Sequence, residues 1–191
     1  LGSQHAARWQ LPGRDRDRFR SGLAASRSAV HDAALGRRGT AATVNIRRVT
    51  PSDAAVWREM RLALWPDETP DGHTAEIERF FAGQLSMPLE VLVAVDADGK
   101  VVGFAELSLR AYAEGCKTDR VAFLEGWYVI PEARRQGVGR ALVRAAEQWG
   151  RSQGCREFAS DALLDNMVSA EAHRALGFEE VVQIRCFRKE L

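Results

Sequence analysis

Polar and apolar residues alternate along Val44–Val49 (VNIRRV), the period of a half-buried strand. Thr50-Pro51-Ser52-Asp53 then supplies a cap, a proline for the first turn and an early acid, all marks of a helix start. Val56, Trp57, Met60 and Leu64 follow at helical spacing, and Trp65-Pro66 ends that helix. A polar, acidic stretch from Asp67 to Thr74 leads to a second helix around Ile77, Phe80, Phe81 and Leu85. Leu89–Val95 and Val101–Leu109, joined by Asp96-Ala97-Asp98-Gly99, predict a β-hairpin, with Asp-Gly the strongest local cue. A loop holding Tyr112, Glu114 and Asp119 precedes a third long strand, Arg120–Ile130. Val138, Leu142, Ala145 and Trp149 mark the face of a helix that closes at Gly150 or Gly154. Glu157–Ser160 reads as a short strand, Val168–Leu176 as a helix and Phe178–Arg188 as a final strand. The order β-α-α-β-β-β-α-β-α-β describes an α/β domain with a mixed sheet, and no internal repeat interrupts it.

Composition narrows this picture. A chain of 191 residues, 46% of them apolar, suits one domain with a substantial core and an appendage. No apolar run is long enough to span a bilayer. Three cysteines (Cys116, Cys155 and Cys186) and four histidines are too few and too scattered for a disulfide framework or a metal centre, so no metal is expected and a reduced, cytoplasmic protein is. The net charge of +1 conceals an asymmetry. Residues 1–43 carry eight arginines against three aspartates, a net of +5, whereas residues 44–191 have a net of −4. The first segment is rich in Arg, Ala, Ser and Gly and has neither a strand pattern nor the apolar stretch of a secretory signal. Phe19, Leu23, Val30 and Ala34 line at best a weak helix face. Residues 1–43 are therefore expected to be a dispensable extension, and 44–191 the working domain. An acidic domain is a poor partner for nucleic acid and a suitable host for a cationic substrate.

The junction VIPEARRQGVGRAL, Val129–Leu142, carries the first chemistry. A strand feeding a helix through Arg-x-x-Gly-x-Gly brings unbonded backbone N–H groups to a helix N-terminus, where the dipole favours an anion. Glycine allows the unusual dihedrals of such a turn and a close approach to its backbone. Arg134, Arg135 and Arg140 add positive charge. A tight turn with solvated arginines reads equally well from these residues alone. The pattern is neither a P-loop nor a dinucleotide fingerprint.

Val129–Leu142 resembles the acetyl-coenzyme A loop of the GNAT acetyltransferase superfamily, whose Gln/Arg-x-x-Gly-x-Gly/Ala pattern is filled by Arg134, Gly137 and Gly139. Asn166 and the segment AEAHRALGF, Ala170–Phe178, are similar to the superfamily's second cofactor segment, and the element order from Val44 onward fits as well. The resemblance implies a mixed central sheet, largely antiparallel with a splayed parallel pair, flanked by helices. It implies that backbone groups of Trp127, Tyr128 and Val129 pair with the pantetheine arm. The N–H groups of Arg135, Gln136, Gly137, Val138, Gly139 and Arg140 would hold the pyrophosphate, and Asn166 the pantetheine side. His173 stands where many members have a tyrosine that protonates the leaving thiolate. It can serve as that acid, or pack and cap its helix.

The strand VAFLEGWYVI, Val121–Ile130, is apolar on both faces and interrupted by Glu125, placed by alternation on one face with Phe123, Trp127 and Val129. A carboxylate there is costly unless it is paired or opens onto a site. A neighbouring arginine satisfies the first condition; an acceptor cleft satisfies the second. An attacking amine must be neutral, and a carboxylate can bind its ammonium and take or relay the proton. No Ser/His/Asp arrangement or reactive cysteine suggests a covalent acyl-enzyme, which leaves direct attack in a ternary complex. Asp161, Asp67, Glu68, Asp71, Glu114 and Asp119 either line a cleft for a polycation or are solvated loop acids. Trp65 and Tyr112 either cover a sugar face or pack.

Four stretches make the resemblance narrower: ALWP (63–66), FLEG (123–126), GCRE with ASD (154–157 and 159–161), and HRALGFEE (173–180). They look like the aminoglycoside 6'-N-acetyltransferases. The resemblance implies that Trp65, Tyr112, Glu125 and Asp161 contact the aminoglycoside, that the product is a resistance phenotype, and that the protein is a homodimer. The loop around Tyr112 is a residue shorter than the family's, and Val181, Val182 and Gln183 stand where some members carry a carboxylate. Acetylation of another amine, such as a polyamine or a protein N-terminus, and a non-catalytic acyl-coenzyme A sensor are the rival expectations.

Overall fold

The computed structural model describes residues 44–190, so the expectations for residues 1–43 lie outside the described part. Strand β1 (Asn45–Arg48) passes through a single 3-10 turn, Pro51–Asp53, into α1 (Ala54–Leu64). The Asp53 carboxylate organises that junction: it accepts from the Thr50 backbone N–H at 2.8 Å and the Thr50 hydroxyl at 2.7 Å, and from both terminal nitrogens of Arg47 at 2.6 and 2.9 Å. Arg47 first, then Thr50, holds this carboxyl well below the usual carboxylate range. Helix α2 (Pro70–Phe81) begins within the stretch expected to be an acidic connector. Pro70 opens its first turn and the Thr69 hydroxyl caps it by accepting from Gly72 N–H at 3.1 Å.

Strands β2 (Glu90–Val95), β3 (Val101–Arg110) and β4 (Val121–Val129) follow, then a second 3-10 turn (Pro131–Ala133), α3 (Val138–Ser152), β5 (Glu157–Ser160) and α4 (Met167–Ala175). The five strands lie in sequence order, antiparallel except for the parallel pair β4–β5. Alternation along β2 and β3, with a register shift that adds Val102, sends Leu92, Ala94, Ala105 and Leu107 to one face, against Leu142, Val143 and Ala146 of α3. It sends Val91, Val93 and Phe104 to the other, against Trp57, Met60 and Ile77 of α1 and α2. The central strands are largely apolar because both faces are covered. Trp57, Phe104 and Leu142 are fully buried, each worth about 1.5–3 kcal/mol relative to exposure.

One register shift matters for function. Gly126 opposes Glu106 and Leu124 opposes Leu107, so Glu125 is an extra residue on β4 with no partner on β3. Such a bulge re-aims a side chain. The expectation that Glu125 shares a face with Phe123, Trp127 and Val129 holds for Phe123 and is overturned for Trp127 and Val129. Phe123 lies opposite Ser108 and under the Arg110 guanidinium, on the face where Glu125 meets both residues, whereas Trp127 and Val129 pack with the α3 side.

The final strand expected at Phe178–Arg188 does not form. Phe178 packs its ring against Phe158 at 5.5 Å and His173 at 5.1 Å. Beyond it Val182, Ile184 and Phe187 are half exposed or more. The segment has the composition of a strand, but a strand needs a ladder partner, and none is supplied within the described residues.

Candidate active site

The parallel pairing of β4 with β5 runs from Val121–Glu157 to Leu124–Ser160 and stops there. From Gly126 to Val129, β4 stays paired to β3 on one edge and offers the backbone of its other edge to whatever enters between the strands. Trp127, Tyr128 and Val129 all lie on that stretch, which accommodates an extended amide-bearing arm. At its end the chain turns into α3 with Arg135 at φ 61° and Gly137 at φ 87°. A non-glycine residue in the left-handed region carries strain of the kind found at functional turns. The first N–H groups of α3, which have no partner within the helix, are thereby presented at the turn, a fit for an anion.

The two glycines serve different ends. Gly137 supplies the left-handed dihedral, and a Cβ there would meet nothing within 4 Å. Gly139 makes room for Trp127: a Cβ would lie 2.6 Å from that indole. The arginines also divide. Arg134 donates through Nε to the Val129 carbonyl at 2.9 Å and lies over the Tyr128 ring, tying the turn to β4. Arg140 reaches the Ala175 carbonyl at 3.3 Å and ties α3 to α4. Gln136 donates to the Glu132 carbonyl at 2.7 Å. Arg135 is exposed at the turn. Asn166 caps α4, its side-chain oxygen accepting from Ser169 N–H at 3.0 Å.

His173 of α4 stands at the fork of the parallel pair. Its Nδ1 lies 2.7 Å from the Ser169 carbonyl and its Nε2 3.0 Å from Ser160 Oγ. A carbonyl only accepts, so Nδ1 carries a hydrogen and Nε2 faces the serine. The ring also meets Trp127 edge-on at 5.8 Å. Packing and proton transfer are both open to a histidine held this way.

The other side of the sheet brings together two of the residues expected to meet an acceptor, Trp65 and Glu125. Trp65, at the C-terminal end of α1, presses its ring against Gly126, where a Cβ would lie 2.5 Å from the indole. Trp65 is thus brought to the residue after Glu125. Glu125 receives hydrogen bonds from the Ser108 hydroxyl, from Arg110 Nε at 3.0 Å and from Arg110 Nη2 at 2.6 Å. Asp161 is exposed and directly follows Ser160, whose strand partner is Leu124. Tyr112 is half exposed on the loop two residues after β3.

Sequence reasoning missed the polar stripe Glu106, Ser108 and Arg110, which alternates along the apolar strand β3. Glu106, almost fully buried, accepts from Trp57 Nε1 at 3.0 Å and has Arg61 Nε at 3.5 Å. Arg61, equally buried, pairs with Glu76 and lies 5.2 Å beneath the Trp65 ring. Glu68, His73 and Glu76 bring ligand-type atoms within 4.8 Å of one another, but the guanidinium of Arg61 already holds Glu76. Alternation among apolar residues was the available signal: three polar residues on one face of a buried strand require partners.

Residues 57–178 match the acetyltransferase (GNAT) family. The chain belongs to that family. Among GNAT relatives, the aminoglycoside N(6')-acetyltransferase type 1 of Klebsiella aerogenes is 58% identical over 146 residues, covering 76% of this chain and 96% of that protein. The enzyme of the same name from Stenotrophomonas maltophilia is 45% identical over 152 residues, covering 79% and 96%. The GNAT fold found here is also that of a solved structure of AAC(6')-Iy in complex with the bisubstrate analog CoA-S-monomethyl-acetylneamine. That structure superposes with a TM-score of 0.71 at 37% identity, over 78% of this chain and 99% of that one.

Proposed function

We propose that this GNAT enzyme transfers an acetyl group from acetyl-coenzyme A to the 6'-amino group of an aminoglycoside, by direct attack, and so confers resistance. The observation that carries the reading is the seating of Trp65 on Gly126, the residue after Glu125 at the β4 bulge, beside the strand edge that β5 leaves open. The relatives' names point to the same acceptor. Acetyl-coenzyme A, when bound, supplies the thioester. The edge of Trp127–Val129 suits its pantetheine arm, the turn Arg134–Arg140 its pyrophosphate, and Asn166 borders the arm.

On the other side, Glu125 takes the proton of the attacking amine directly or through water. Trp65, Tyr112 and Asp161 receive the sugar rings and their ammonium groups. His173 is the candidate proton donor on the cofactor side. Acetylation removes a positive charge and a donor from the drug. We further propose a cytoplasmic homodimer in which the exposed Val182, Ile184 and Phe187 are covered, and an N-terminal extension dispensable for catalysis. Three unpaired cysteines support the cytoplasmic assignment, and no helix among the described residues is long and apolar enough to cross a membrane.

The test is thiol release from acetyl-coenzyme A with tobramycin or kanamycin, with the acetylated nitrogen located by NMR. Release with 6'-amino drugs is expected. Silence with all of them sinks the reading, and turnover of spermidine or a peptide instead replaces it. A variant comprising residues 44–191 is expected to keep full activity, and ultracentrifugation is expected to give twice the chain mass.

A further inference from the structure

We infer that Arg110 is a positioning residue that keeps the acceptor site electrically neutral at Glu125, so that the incoming amine is not locked in its ammonium form. The inference rests on the reading that Glu125 faces the acceptor.

Glu125 is not a bare carboxylate. Its Oε1 accepts from Ser108 Oγ and from Arg110 Nε, and its Oε2 from Arg110 Nη2. The donors are themselves fixed. Ser108 is fully buried, and the Arg110 guanidinium lies 3.3 Å from the centre of the Phe123 ring, which is also buried. The side chains of Arg110 and Glu125 are only 13% and 14% exposed, so solvent does little to loosen the pair. A carboxylate has about four acceptor directions. Three are occupied, and the one left open is on Oε2. The bulge, Ser108 and Arg110 together therefore present a single acceptor direction with no net charge behind it.

Charge balance decides the chemistry. An isolated carboxylate beside the acceptor would bind an ammonium tightly and raise its pKa, stabilising the form that cannot attack. A carboxylate already matched by a guanidinium still accepts one N–H, but it does not favour the protonated amine by net Coulomb attraction. Arg110 thus trades affinity for the cation against the fraction of reactive amine. An arginine suits this role better than a lysine, because its two nitrogens bridge both oxygens and hold the carboxylate in one plane.

The experiment measures kcat and KM for tobramycin from roughly pH 6 to 9 in wild type, Arg110→Met, Arg110→Gln, Arg110→Lys and Glu125→Gln, with acetyl-coenzyme A affinity and Tm recorded for each. In Arg110→Met and Arg110→Gln the drug KM is expected to fall about fivefold and the pH midpoint of kcat to rise by about one unit, as expected for the loss of one nearby charge. At neutral pH kcat then drops and is recovered at alkaline pH. Arg110→Lys keeps the charge and is expected to keep the wild-type midpoint. A simple loss of geometry raises KM in both neutral variants and leaves the midpoint where it was; that result overturns the proposal. If Arg110→Met does not fold, Arg110→Gln, which keeps hydrogen-bond donors, decides alone. Glu125→Gln separates the two levels: wild-type kcat/KM in that variant refutes the placement of Glu125 at the acceptor, whereas a crippled Glu125→Gln with an unmoved midpoint in the Arg110 variants refutes only the role given to Arg110.

Discussion

Gly126→Ala is the smallest change that tests how the acceptor side is assembled. Gly126 is buried in β4, beside the bulge, and its φ is not in the left-handed region, so alanine meets no backbone penalty. The added Cβ would lie 2.5 Å from Cη2 and 2.7 Å from Cζ2 of Trp65. Carbon atoms in contact settle at about 3.5–4.0 Å, so the indole must withdraw by roughly 1 Å. It has little room to do so. Arg61 lies under the ring, His73 is stacked with it at 6.3 Å and Phe104 meets it at 6.4 Å. Overpacking of this kind costs about 1–3 kcal/mol, which for a domain of this size lowers Tm by about 3–10 °C. A displacement of about 1 Å at a substrate-positioning group costs up to about 100-fold in rate. The assay is thiol release under kcat/KM conditions for tobramycin, with acetyl-coenzyme A KM and a thermal melt in parallel. The expected result is a fall of about 10- to 100-fold in kcat/KM for the drug with the cofactor KM unchanged. Gly139→Ala is the control, because its Cβ strikes Trp127 on the cofactor side and is expected to raise the cofactor KM. If Gly126→Ala keeps wild-type kcat/KM and Tm, Trp65 is not seated on Gly126 and the acceptor side is assembled otherwise.

Other expected outcomes follow from single groups. Glu125→Gln is expected to reduce kcat/KM for the drug by about 100-fold or more while calorimetry finds acetyl-coenzyme A binding unchanged; lost cofactor affinity would show Glu125 to be structural. Burial, and next the charge of Arg61, push the His73 imidazole below its ordinary pKa, against the opposing pull of Glu68 and Glu76. The folded state therefore resists protonation that the unfolded state accepts, so stability is complete above about pH 6.5 and is lost as pH falls below it. Melts between pH 7 and 5 are expected to show this loss in wild type and less of it in His73→Gln. Asp53, held far below its usual range by Arg47, contributes stability above about pH 3.9 that is lost as pH falls further. Asp53→Asn is expected to cost about 1–2 kcal/mol at neutral pH, measured by urea titration, and to flatten the acid limb.

Much of the framework was legible in local pattern. The strand β1, the helix starts at Thr50 and Val138, the hairpin at Asp98-Gly99 and the long strand through Glu125 rest on periodicity and turn chemistry, which act over a few residues. Gly137 was legible for the same reason, since its left-handed dihedral is a local demand. Gly139 was not read correctly in full: it yields to Trp127, a contact between a helix and a strand that spacing does not encode. The final strand failed because strand propensity is only a readiness to pair, and no edge within the described residues pairs with Val181–Arg188.

The sequence by itself determined most of the helices and strands, that the central strands are buried on both faces, and that a glycine turn into a helix follows a carboxylate on a buried strand. These follow from hydrophobic period and from the short-range geometry of glycine, proline and capping residues. Only the tertiary structure decided where Glu125 points and what holds it. One unpaired residue on β4 reverses the alternation, Trp65 closes over Gly126 from a helix 61 residues away in sequence, and Ser108 and Arg110 arrive from the neighbouring strand. Strand register and long-range packing are settled by the summed burial of the whole sheet, and a slip of one residue there moves every side chain to the opposite face.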